Sequence, residues 1–145
     1  MAESAQLLSS LELPAVLESL PQFIEFLLRS AHVIGFGAQE INKIELAAEE
    51  AIVNIVHYAY GGKSGNITVT CRSEDNNKFF VEIIDSGLSF NPLDAKTPDL
   101  EANIDDRLIG GLGIYLTEKL VDTIEYKRED NKNILTLAIF KSTER

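Results

Sequence analysis

Residues 38–59 carry the clearest periodic signal in this 145-residue chain. At about 100° per residue, Ile41, Ile44, Ala48, Ile52, Ile55 and Ala59 fall on one face. A segment so patterned predicts a long amphipathic helix, whose apolar face needs a second layer to cover it. Gly61-Gly62 ends it. On roughly the opposite face stand Glu50, Asn54 and His57, spaced i, i+4, i+7. Most polar stripes are simply solvated. Two details set this one apart. Asn is a poor helix former, where a solvated face would more often carry Lys, Gln or Glu. The flanking Ala51, Val53 and Tyr58 are not strongly polar, so the stripe is narrow. A carboxylate one turn from an amide oxygen offers a general base beside a Mg²⁺ ligand.

What covers that helix is read from the flanking patterns. Residues 6–13 alternate weakly and suit an edge strand. Residues 15–34 place Leu17, Leu20, Ile24, Leu27 and Leu28 at helical spacing, started by Pro14 or Pro21 and broken at Gly35-Phe36-Gly37. Residues 66–72 and 78–85 read as strands joined by the turn Glu74-Asp75-Asn76-Asn77. Residues 86–110 have no consistent period, and a loop of that length is usually functional or disordered. A short helix is expected near 112–121. Strands near 122–128 and 133–140 then meet at Glu129-Asp130-Asn131-Lys132. This order predicts an α+β fold: a two-layer sandwich of a mostly antiparallel sheet with helices on one face.

Composition removes several alternatives. The length suits a single domain over residues 1–145. With 45% hydrophobic residues it can bury an ordinary core without staples. Cys71 is the sole cysteine, which excludes an internal disulfide and argues against structural zinc. No apolar run approaches the ~18 residues of a membrane span, and the N-terminus lacks a basic region, so a cytoplasmic location is expected. The net charge of −10, with 13 basic against 23 acidic residues and no basic cluster, argues against direct nucleic-acid binding. It does not argue against a nucleotide, whose phosphates Mg²⁺ and backbone N–H groups can meet.

Two glycine segments suggest such a ligand. Asp85-Ser86-Gly87-Leu88-Ser89-Phe90 follows an apolar strand. Asp85 there can accept from an amine, and Gly87 can let a flat ring approach, although Asp, Ser and Gly also make ordinary turns. Gly110-Gly111-Leu112-Gly113 opens the short helix, where free N–H groups can meet phosphate oxygens. It is neither a P-loop nor a dinucleotide fingerprint.

Taken in order, the three segments resemble the GHKL (Bergerat-fold) ATPase and kinase superfamily. Glu50-Ala51-Ile52-Val53-Asn54 looks like its N box, Asp85-Ser86-Gly87-Leu88-Ser89-Phe90 its G1 box and Gly110-Gly111-Leu112-Gly113-Ile114 its G2 box. The continuation Ile55-Val56-His57-Tyr58-Ala59-Tyr60-Gly61 is most similar to the short anti-sigma-factor serine/threonine kinases. The resemblance implies ATP and Mg²⁺ as cofactors. It implies Glu50 as general base, Asn54 on Mg²⁺, Asp85 on the adenine amino group and Gly87 beside the ring. Gly111 and Gly113 would meet the phosphates, residues 91–109 would form the ATP lid, and Arg107 is a candidate phosphate contact. This lid departs from relatives in carrying Asp94, Asp99, Glu101, Asp105 and Asp106. The implied partner is a small anti-anti-sigma-like (STAS-type) protein, with a sigma factor as competitor and a homodimer by analogy. Two rival readings use the same residues: a non-catalytic ATP/ADP-binding module that sequesters a regulator, and an ATPase that drives a conformational change.

Overall fold

The structure is a computed structural model and describes residues 6–61, 63–89 and 117–141. Strand β1 (Gln6–Pro14) leads through a 3-10 turn into α1 (Leu20–Val33) and α2 (Ala38–Tyr58). Strands β2 (Asn66–Glu74), β3 (Lys78–Asp85), β4 (Thr123–Glu129) and β5 (Lys132–Phe140) complete the order. They form one sheet ordered β1-β2-β3-β5-β4, in which every neighbouring pair is antiparallel. The expected α+β architecture is the observed one. Pro21 sits in the first turn of α1, while Pro14 closes β1. Of the short helix expected near 112–121, residues 117–120 are described and are helical.

The period-two pattern of each inner strand decides which face is buried. Ile67, Val69 and Cys71, then Phe79, Val81 and Ile83, then Leu135, Leu137 and Ile139 all point to the helices. They pack with Phe23, Leu27 and Ala31 of α1 and with Ile41, Ile44, Ala48 and Ile52 of α2. Phe23 and Phe79 are wholly buried, so truncating either to Ala should cost about 3–5 kcal/mol. The far face of the sheet is more polar, with only a small cluster around Phe80 and Ala138.

The hairpins follow from Asp and Asn. Asp75 and Asn76 take φ of 55° and 56°, and Asp130 and Asn131 take 55° and 63°. Those two residue types tolerate the left-handed region that a tight hairpin demands. Glu129 pairs with Lys132 across a two-residue turn, and on its other side β5 pairs with β3 so that Asn133 stands directly opposite Asp85. No helix among the described residues is long and apolar enough to cross a membrane.

Candidate functional site

The end of α2 and the end of β3 are bonded to one another. The Leu88 N–H donates to the Ala59 carbonyl at 2.7 Å. The Tyr60 hydroxyl accepts from the Ser86 N–H at 2.8 Å and donates to the Asn66 carbonyl at 2.6 Å. Two glycines permit this approach. A Cβ at Gly87 would lie 2.2 Å from the Ala59 carbonyl oxygen, and one at Gly65 would lie 2.2 Å from the Tyr60 ring. The glycine of the Asp-Ser-Gly segment is therefore required by the helix end packed against it, whatever else approaches it.

Asp85 is buried at the inner end of β3. Its Oδ1 accepts from the Gly87 N–H at 2.8 Å and from Asn133 Nδ2 at 2.9 Å. Asn133 Nδ2 also donates to the Leu88 carbonyl at 2.8 Å. On its other side Asn133 Oδ1 accepts from the Tyr126 hydroxyl at 2.6 Å and from Arg128 at 3.2 Å. Arg128 further donates to the Gly87 carbonyl at 2.9 Å. Both bonds to Asp85 fall on Oδ1, and Oδ2 takes none from the described residues.

The polar stripe of α2 is not a solvated face. Asn54 is only 9% exposed, Glu50 is half-buried and His57 is exposed. Helical spacing alone puts Asn54 on the side opposite the apolar face, but the buried surface extends round to it through the small residues Ala47 and Ala51. Buried Thr117 packs there, its hydroxyl 3.4 Å from the Ala47 carbonyl. The Asn54 amide has no hydrogen-bond partner among the described residues. By the rise of an α-helix it lies about 7.5 Å from Ala59 along the axis, with Glu50 about 6 Å beyond. Burial, and secondarily the neighbouring Glu49, push the Glu50 carboxyl above its usual pKa. No described group of three His, Cys, Asp or Glu side chains could hold a metal by itself.

Of the residues expected from the sequence, Glu50, Asn54, Asp85 and Gly87 belong to one connected frame of α2 and the β3 end. Arg107, Gly111, Gly113 and the 91–109 segment lie outside the described residues. Sequence reasoning missed Tyr60, Tyr126, Arg128 and Asn133. Asn133 had a signal: it shares the inward parity of Leu135, Leu137 and Ile139, so a polar side chain was due on the buried face. A larger groove of about 680 Å³ runs between α1 and α2, but neither Asn54 nor Asp85 lines it.

A buried Asp at a strand end is thus joined, through the turn that follows it, to a helix carrying Asn54 and a half-buried acid. Residues 13–139 match the histidine kinase-like ATPase domain, and the chain belongs to that family. It is 32% identical over 102 residues to the serine/threonine-protein kinase BtrW of Bordetella bronchiseptica, covering 70% of this chain and 71% of that one. It is 28% identical over 109 residues to the serine-protein kinase RsbW of Bacillus mycoides, covering 72% and 68%. Among solved structures, the RsbU and RsbW domains of a Mycobacterium tuberculosis protein superpose with a TM-score of 0.63 at 18% identity, over 92% of this chain. This chain spans 32% of that longer one. The catalytic domain of the histidine kinase ThkA superposes with a TM-score of 0.50 at 16% identity, over 92% and 97% of the two chains. These two likenesses establish the fold.

Proposed function

We propose that this protein serine/threonine kinase transfers the γ-phosphoryl group of Mg-ATP to a small anti-anti-sigma-like partner. The observation that carries the reading is Asn54: an amide only 9% exposed, with no hydrogen-bond partner among the described residues, one turn from an acid whose proton affinity is raised.

The roles follow from the chemistry of each group. Asp85 Oδ2 accepts from the adenine amino group, with Gly87 beside the ring. Asn54 would hold Mg²⁺ through its side-chain oxygen, a hard donor of the kind this cation takes. Bound there, Mg²⁺ supplies neutralisation of charge on the transferring phosphates. Gly111, Gly113 and Arg107 meet the phosphates, and residues 91–109 cover them. The substrate hydroxyl oxygen forms a bond to the γ-phosphorus, the bond to the bridging oxygen breaks, ADP leaves and the hydroxyl proton passes to Glu50. A positioned base contributes about 10²–10⁴ in rate. In this reading the unphosphorylated partner competes with a sigma factor, the kinase acts as a homodimer in the cytoplasm, and residues 1–145 form one kinase domain.

The test is transfer of labelled phosphate from ATP to the cognate partner. Glu50→Gln should leave ATP affinity within a few-fold and lower transfer about 10²–10⁴-fold. Asn54→Ala should lower both affinity and transfer. Transfer at the wild-type rate by Glu50→Gln would remove Glu50 from the mechanism. No transfer by the wild-type protein to any partner it binds would replace the kinase with a non-catalytic ATP-binding module.

A further inference from the structure

We propose that Asn133 is the positioning residue that sets the base preference of the nucleotide site, with Arg128 as its outer support; this rests on the assignment of Asp85 to adenine. An Asn side chain has two amide protons and two acceptor lone pairs. Here all four are engaged. Nδ2 donates to Asp85 Oδ1 and to the Leu88 carbonyl, and Oδ1 accepts from Tyr126 and Arg128. The orientation of the amide is thereby determined. A flipped Asn133 would set its NH₂ against the Arg128 guanidinium and its oxygen against a carboxylate and a carbonyl. Asn133 therefore acts on the ligand through Asp85.

The consequence falls on the two carboxylate oxygens. Gly87 N–H and Asn133 Nδ2 converge on Oδ1 and fix the rotation of the Asp85 carboxylate. Oδ2 is left as the acceptor. An acceptor with no donor of its own selects a ring that offers an exocyclic amine and rejects one that offers an oxo group, because the latter sets oxygen against oxygen. Arg128 extends the same constraint to the backbone, holding the Gly87 carbonyl with the guanidinium nitrogen that supports Asn133. Without Asn133 the carboxylate is free to turn, and the preference for the amine weakens even where Asp85 is intact.

The experiment measures Mg-ATP and Mg-ITP binding to the full chain by calorimetry, ITP carrying an oxo group where ATP carries the amine. The wild type should prefer ATP. Asn133→Leu, which keeps the branched shape but has no polar atoms, should lower ATP affinity by about tenfold or more while ITP affinity changes little. The ATP/ITP ratio is the decisive readout, because a merely structural loss lowers both affinities together. An unchanged ratio in a folded Asn133→Leu protein overturns the proposal. Should that variant fail to fold, Arg128→Met on the exposed edge strand β4 tests the same network. It should reduce the ratio to a smaller degree, and an unchanged ratio there overturns the proposal equally. A wild-type protein that binds neither nucleotide would instead sink the ATP-site reading itself, and this proposal with it.

Discussion

Gly87→Ala tests whether the site is built on the contact between α2 and the β3 end. The added Cβ would lie 2.2 Å from the Ala59 carbonyl oxygen, 2.6 Å from its carbon and 2.7 Å from the Ala59 Cβ. All three belong to Ala59 at the end of a 21-residue helix, so no flexible side chain can swing aside. The 86–88 segment must move instead. Three hydrogen bonds stand in its way: Leu88 N–H to Ala59, Arg128 to the Gly87 carbonyl and Asn133 to the Leu88 carbonyl. Overpacking a tight contact costs about 1–3 kcal/mol, and each weakened hydrogen bond about 0.5–1.5 kcal/mol. A loss of about 2–4 kcal/mol is expected, lowering Tm by roughly 5–15 °C. ATP affinity should fall as well, because the same shift drags Asp85. Gly61→Ala is the control: its φ is +56°, but nothing lies within 4 Å of the added Cβ. It should cost only about 1 kcal/mol, from backbone conformation alone, and leave nucleotide affinity unchanged. Urea unfolding and calorimetry on both variants decide the matter. A Gly87→Ala protein as stable as Gly61→Ala, with wild-type ATP affinity, would refute the reasoning.

Tyr60→Phe removes the acceptor for the Ser86 N–H and the donor to the Asn66 carbonyl, and should cost about 1–2 kcal/mol, or roughly 3–8 °C in Tm. The acid limb of kcat should lie above the usual carboxylate range, since burial and Glu49 raise the Glu50 pKa and the base works only when ionised. Activity should fall as pH drops through that raised value, and the limb should vanish in Glu50→Gln. The Cys71 thiol is wholly buried and its pKa is pushed up to about 12, so a thiol reagent at pH 8 should leave it unmodified in the native protein and label it in urea.

The elements were legible because their periods are strong. The alternation of Ile67, Val69 and Cys71 and the helical spacing of Ile41, Ile44 and Ala48 each name a buried face without outside help. The Asp-Asn hairpins were legible for a local reason too, since those residues accept positive φ. The site was legible only in part. Helical spacing put Asn54 on the side opposite the apolar face, yet it is buried, and on that side of α2 the Ala47 carbonyl meets Thr117, seventy residues further along the chain. The Asp85–Asn133 bond depends on β5 pairing with β3 in one register, with β4 lying outside it. A one-residue slip would point Asn133 away from the helices and leave Asp85 without its second donor. Gly87 was read as making room for a ring; that the chain end of α2 needs room there too was not legible, because Ala59 lies 28 residues away in sequence.

Two acids of this frame are furnished for different work by their backbone positions. Asp85 ends a central strand, where a neighbouring strand and the following turn both supply N–H donors to one of its oxygens. It is held in place and suits a group that must recognise and not react. Glu50 lies mid-helix, where the backbone amides are already engaged in the helix and have none to offer it. It takes no hydrogen bond from a described residue, stands beside a second acid and is half-buried, so the fold raises its affinity for a proton. That suits a group that must take a proton and give it up. The Leu88–Ala59 and Tyr60–Ser86 bonds couple the two, so in the proposed mechanism the distance between the recognised base and the reacting hydroxyl would be a property of α2 and its C-terminal junction. Phosphoryl transfer depends chiefly on such positioning, so in the proposed mechanism the packing of Gly87 against Ala59 would count as much as the carboxylates do.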